Sequence, residues 1–207
     1  MTGSFWFLLW LLPYGGLLWF LRRYHIWIFY YLVGAGGMAY ILTTLLTQVL
    51  DIRPFLGGSV AGSVHTFMSW MNIDTQVVQN APTILMVLVV TQRVGWTILQ
   101  IGVESSGLLE MIVLTSLVAF YPGWSFSRRL LAGGAGLLLT WGANLTRMLL
   151  IAAMLHYFGK EVLVLAHTFL GKLIFFLLTL AIYWVIITLP TLNDLAARLK
   201  KHAGERA

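Results

Sequence analysis

LLAGGAGLLLTWGANLTRMLLIAAMLHY, Leu130 to Tyr157, decides the fold. The run is apolar for longer than the roughly 20 residues that a helix needs to cross a bilayer, and it carries one obligate cation, Arg147. A second such run, Val162 to Leu189, follows it and is closed by Pro190. Gly107 to Tyr121 precedes it and is closed by Pro122-Gly123. Two more lie earlier: Phe5 to Leu21, ended by Arg22-Arg23-Tyr24-His25, and Ile26 to Leu50, ended by Asp51, Arg53 and Pro54. Phe5 to Leu21 has no basic stretch before it and no small-residue cleavage site after it, so it reads as a retained helix and not a signal peptide.

The composition agrees with those runs. Of 207 residues, 59% are hydrophobic and 10% charged, where a soluble domain carries about 25% charge, so an ordinary globular protein is excluded. The expected fold is an all-α polytopic membrane protein forming one domain over 1–207. Its spans are about 5–21, 26–50, 107–121, 130–157 and 162–189, with an extracytoplasmic segment 51–106 and a cytosolic tail 191–207. Within 51–106, Phe55 to Met71 is interrupted by Gly57, Gly58, Gly62 and His65 and reads as interfacial or re-entrant. Thr83 to Thr91 and Trp96 to Val103 are short Val/Ile/Leu-rich runs about a polar, glycine-containing turn, a pattern that favours a β-hairpin over a broken helix.

Thirteen Lys and Arg against seven Asp and Glu leave a net charge of +6. The cations cluster between apolar runs, which gives no support to a nucleic-acid partner and sets orientation instead. With five spans, Arg22-Arg23, Arg128-Arg129 and the tail with Arg198, Lys200, Lys201 and Arg206 all fall on the cytoplasmic side. The N-terminus is then outside and the C-terminus inside the plasma membrane. A sixth span over Pro82 to Val103 breaks this parity; a seventh, using Phe55 to Met71 as well, restores it.

Ionisable groups at helix mid-span cost a few kcal/mol or more in lipid, so each is a functional candidate. Glu110 lies one turn into the third helix; Asn144 and Arg147 share a face of the fourth at i, i+3; His167 and Lys172 lie in the fifth. At 1.5 Å per residue, Ser105 and Ser106 fall at the outer interface, His167 about 8 Å in, and Arg147 about 15 Å below Tyr157. Three helices thus offer a hydroxyl, a guanidinium and an imidazole near the outer face. The bland alternatives are an Arg147–Glu110 structural pair, a packing role for His167, an N-cap role for the Ser105-Ser106 pair, and a Lys172 that snorkels or meets a lipid headgroup. His156 reads as interfacial, and His25, His65 and His202 as surface groups. The histidines show no metal-ligand spacing, and no cofactor loop is visible, since Gly133-Gly134-Ala135-Gly136 lies inside a helix.

Glu104-Ser105-Ser106-Gly107-Leu108, then Asn144-Leu145-Thr146-Arg147, then His167-Thr168-Phe169-Leu170-Gly171 resemble, in order and spacing, the exosortase/archaeosortase family. The resemblance covers about residues 83–189, and the early part looks like the compact Gram-positive members. It implies a cysteine-protease-like membrane transpeptidase that cleaves exported proteins at a C-terminal transmembrane sorting signal and passes the acyl group to an acceptor. Carried over by position, Ser105 stands where the nucleophilic Cys belongs, Arg147 holds the developing oxyanion, and His167 is the general base and acid. Glu104, Ser106, Glu110, Asn144 and Gly171 support them.

Ser105 is the departure from that pattern, and the chain has no cysteine anywhere. A hydroxyl loses its proton far less readily than a thiol, so three readings stand: an engineered Cys-to-Ser exchange, a natural serine-using branch completed by Glu104 or Glu110, or a relative that has lost catalysis. Outside the family, the competing function is a non-catalytic membrane component of an envelope-polymer or export system, with Arg147, Glu110 and Lys172 as a structural network. A solute transporter with a polar pathway is the third.

Overall fold

The computed structural model describes residues 2–78, 85–91, 95–101 and 105–204. Its helices are α1 (Thr2–Arg23), α2 (Trp27–Thr44), α3 (Arg53–Trp70), α4 (Leu108–Phe120), α5 (Phe126–Phe158), α6 (Gly171–Tyr183) and α7 (Leu189–Gly204). Three strands, β1 (Thr75–Val78), β2 (Leu85–Thr91) and β3 (Gly95–Ile101), lie between α3 and α4. Among the described residues three helical rods are long and apolar enough to cross a membrane: Trp27–Val49, Phe126–Phe158 and Leu165–Ala197. At 13 residues, α4 is a shorter apolar helix.

The 33-residue α5 is the central rod, rising about 50 Å, well beyond a hydrocarbon core of about 30 Å. Its two halves serve different cores. The C-terminal half packs Leu145, Met148, Ile151, Ala152 and Leu155 against Val60, Val64 and Met68 of α3 and Leu99 and Ile101 of β3. On α4 and α6, Leu114, Val118, Phe175 and Ile182 gather around Ala143 of α5. Helix α2 packs on α4, and α1 on α2. Much of the remaining apolar surface faces outward: Leu138, Leu173, Phe176 and Leu180 are all exposed, as lipid-facing side chains of a bundle would be.

Several sequence expectations need correction. The stretch expected as an interrupted interfacial element, Phe55 to Met71, forms α3 as far as Trp70, unbroken, with Met71 capping its end. Gly57, Val60, Ala61, Val64 and Met68 are buried along its length, and that packing offsets the roughly 1 kcal/mol that each interior glycine costs. Pro190 does not end the last span; helix continues through it into α7. A proline ring clashes with the carbonyl four residues back, and the wider π-helical turn Trp184–Thr188 just before it gives that ring room. The sheet has three antiparallel strands in the order β1-β2-β3, with Val87 opposite both Val77 and Leu99. The residues of the turn between β2 and β3 lie outside those described.

At the end of α5 opposite the sheet, the α4–α5 connection is fastened by its arginines. Arg129 donates through Nη1 to Ala119 O (2.7 Å) and through Nη2 to Tyr121 O (2.9 Å), so one guanidinium satisfies carbonyls that the end of α4 leaves open. Arg128 pairs with Asp194 of α7 at 2.8 Å and lies over the Trp124 ring, and the Tyr121 hydroxyl meets Thr191 Oγ1 at 2.6 Å. Arg129→Ala removes two charge-assisted hydrogen bonds and should lower stability in detergent by about 2–3 kcal/mol. Arg129→Lys should recover less than half of that, because an ammonium cannot span both carbonyls; thermal unfolding of the purified variants reads the difference.

Candidate functional site

The chain enters α4 through Ser105-Ser106-Gly107, a turn held by hydrogen bonds to the Ser105 carbonyl and the Ser106 hydroxyl. Ser106 Oγ accepts the Leu108 N–H at 3.3 Å, closing a side-chain turn ahead of the helix. Gly107 has φ +74°, the left-handed region, and a Cβ there would lie 3.2 Å from Asn144 Cβ. Asn144, fully buried on α5, donates from Nδ2 to the carbonyl oxygen of Ser105 at 2.8 Å. Ser105 is thereby fixed level with Asn144, about 22 Å along α5 from Arg129.

One turn further along α5 lies Arg147, only 4% exposed, with its guanidinium carbon 5.3 Å from the centre of the Phe175 ring on α6. Burying a guanidinium is costly, and an aromatic face recovers part of the lost hydration. The Arg147–Glu110 pair weighed from the sequence is not formed: among the described residues the ion pairs are Arg53–Asp51 and Arg128–Asp194. Glu110 instead offers its backbone carbonyl to the Tyr183 hydroxyl at 3.3 Å, and its Oε2 is buried with no hydrogen-bond partner.

His167 sits in a π-helical turn, Leu165–Leu170, that leads into α6. Such turns arise where an extra residue is accommodated in a helix, and they re-aim the side chains they carry. Gly171 closes the turn. A Cβ on it would meet Ile151 Cδ1 at 2.8 Å and Ala166 O at 2.9 Å, so glycine lets this turn lie directly on α5.

Ser105, Arg147 and His167 line one cavity of about 390 Å3. Glu110 and Leu109 extend its α4 wall, and Lys172, Phe175, Phe176 and Thr179 its α6 wall. Asn144 and Gly171 act behind this lining, one holding the Ser105 backbone and the other seating the His167 turn. Ser106 is buried in the turn itself, and Glu104 lies outside the described residues. No group of three or more His, Cys, Asp or Glu placed to hold a metal is found among the described residues.

Phe175 and Thr179 were not singled out from sequence. The signal was there, because His167, Gly171, Phe175 and Thr179 recur every four residues and mark one stripe of the rod.

Chemically, the cavity combines a hydroxyl ahead of a helix start, an imidazole, a buried guanidinium, a carboxyl and an ammonium, with Leu109, Phe175 and Phe176 as its apolar lining. Comparison with protein-family models, with curated proteins and with solved structures finds no match to this chain.

Asn144→Ala leaves the buried Ser105 carbonyl without its donor and should cost about 1–3 kcal/mol. Gly107→Ala, forced into the left-handed region, should cost about 1–2 kcal/mol. The double variant should fall short of the sum, since both changes loosen one contact; thermal melts of the two single variants and the double measure that coupling.

Proposed function

We propose that this chain is an exosortase-like membrane peptidase or transpeptidase, acting on exported proteins that carry a C-terminal transmembrane sorting signal. The observation that carries the reading is that Ser105, Arg147 and His167, which come from three separate motifs, line one cavity. In this reading Ser105 Oγ attacks the scissile carbonyl while His167 takes its proton. Arg147 stabilises the oxyanion, and His167 then returns the proton to the leaving amine. The acyl group, now an ester on Ser105, passes to water or to an acceptor amine.

Topology follows from the same frame. Five spans with the N-terminus outside put Arg128, Arg129 and α7 in the cytoplasm, as the distribution of basic residues requires. The three-stranded sheet has open edges that hydrocarbon cannot satisfy, and it belongs at the outer surface. From a cytoplasmic boundary near Arg129, about 30 Å of hydrocarbon ends near residue 149 of α5. Ser105, level with Asn144, is then recessed about 8 Å below the outer boundary, deeper than the sequence count placed it. A recess at that depth suits a bond just outside a substrate's own transmembrane helix, approached sideways from the lipid.

A serine in place of the thiol sets the expected rates. In vesicles containing a reporter protein with a C-terminal transmembrane helix, Ser105→Cys should process it faster than the chain as it stands, and Ser105→Ala should abolish processing. In the Cys form, Arg147→Ala should lose about 10²–10³-fold, as for an oxyanion donor, and His167→Ala about 10²–10⁴-fold. Equal processing by all of these variants would defeat the proposal. Loss of thermal stability with no specific chemistry in any form would return the non-catalytic envelope component.

A further inference from the structure

Facing contacts fix how α6 lies along α5. Gly171 rests on Ile151, Phe175 lies over Arg147, and Ile186 packs on Gly136, so the two helices run antiparallel and Thr179 comes level with Asn144 and Ser105. Inward of Ser105 the seam between α4 and α6 is shut. The Tyr183 hydroxyl donates to the Glu110 carbonyl at 3.3 Å, and nearer the cytoplasm Leu114 and Ile186 both pack on Gly136. Outward of Ser105 α6 loses this neighbour, because α4 begins at Leu108 while the last rod runs on through Lys172 to His167. The cavity occupies that stretch, and two of its lining residues, Leu109 on α4 and Phe176 on α6, are also exposed on the outside of the bundle. Its mouth therefore faces lipid between these two helices.

Each of those two residues heads a stripe along the seam. Leu109 and Val113 lie at i, i+4 on α4, Phe176 and Leu180 at i, i+4 on α6, and all four are exposed. Two such ridges side by side leave a groove of the kind into which a third helix packs. In lipid, apolar character alone drives no association, since the tails are as apolar as leucine; close fit does. One property sets this groove apart from the exposed faces of α2 and α5: its outer end is the mouth of the cavity that holds Ser105.

We infer that the α4–α6 seam is the docking face for the substrate's transmembrane helix, which lies along Leu109, Val113, Phe176 and Leu180 and passes the chain at its outer end through the mouth to Ser105. The occupant has to be a helix, because no other single segment crosses hydrocarbon with its backbone satisfied. It also has to continue outward as a chain that the cavity can admit, which a lipid tail does not. The inference rests on the peptidase reading above and adds to it the surface on which the substrate is held.

The chain has no cysteine, so each single-cysteine variant carries one thiol. Val113→Cys and Leu180→Cys, in separate chains that also carry Ser105→Ala to keep the reporter uncut, are oxidised in vesicles with a reporter whose C-terminal helix bears one cysteine moved along it. Tyr40→Cys on α2 and Leu138→Cys on α5 are the controls, both exposed and both away from the seam. Their depths match: Tyr40 lies ten residues outward of Tyr30, which meets the Phe120 ring, and Leu138 two residues from Gly136, on which Leu114 packs. Both seam chains should join the reporter at positions that recur every three or four residues, and the controls should not. Equal crosslinking at all four positions, or none at the seam while the Ser105→Cys chain still processes the reporter, overturns the docking face and leaves the peptidase reading intact. No crosslinking together with no processing overturns both. As a second check, Val113→Trp with Leu180→Trp in the Ser105→Cys chain should raise the reporter density needed for half-maximal processing several-fold, with maximal rate and thermal unfolding unchanged. Tyr40→Trp with Leu138→Trp should not raise it. A seam pair that leaves the half-maximal density unmoved contradicts the inference.

Discussion

A helix of 13 residues rises about 20 Å, and α4 has no more than that with which to climb from the arginine-fastened connection at one end of the bundle. The adjacent α5 rises about 50 Å over the same course. The difference in length, held by the Asn144 amide on the Ser105 carbonyl, produces the recess. A longer α4 would lift Ser105 past Arg147, and a looser contact would let the turn before α4 move away from α5. Gly107 belongs to the same constraint, since neither its positive φ nor its 3.2 Å approach to Asn144 suits a side chain.

The last rod shows a second way of placing groups without breaking a helix. It passes through two π-helical turns, Leu165–Leu170 and Trp184–Thr188, and continues past Pro190 to Gly204. The first carries His167 and rests on Ile151 through Gly171; the second relieves the proline and delivers Asp194 to Arg128. The His167 turn and the Arg128–Asp194 clamp are thus two ends of one continuous helical element, so a shift in the clamp has a rigid route to the imidazole.

Much of this was written plainly in the sequence. The apolar runs at 26–50, 130–157 and 162–189 are long and 107–121 shorter, and apolar content with few charges is the strongest signal a helix leaves. Asn144 and Arg147 share a face because i, i+3 spacing dictates it, whereas the contact of Asn144 with the Ser105 carbonyl depends on tertiary packing that adjacency of spans does not prove. The π-helical turns were not legible, since i→i+5 pairing depends on packing and leaves no residue signature. The continuity of α3 through Gly57, Gly58 and Gly62 was hidden for the same reason: contact with α5 and the sheet overrides local propensity. Thr179 was overlooked because a threonine in an apolar helix ordinarily bonds to its own backbone, whereas Thr179 Oγ1, like Thr140 Oγ1, is buried without a hydrogen-bond partner.

The central claim is that Ser105 lies in a recess open to the outer face and coupled to His167. It is tested most directly by a single thiol in this otherwise cysteine-free chain: Ser105→Cys in oriented vesicles, labelled with a membrane-impermeant methanethiosulfonate from each side in turn. Labelling should proceed from outside only, and it should slow when His167→Ala is added, because an imidazole beside the thiol raises its thiolate fraction. Labelling from the cytoplasmic side, or an outer-side rate indifferent to His167, would contradict the account.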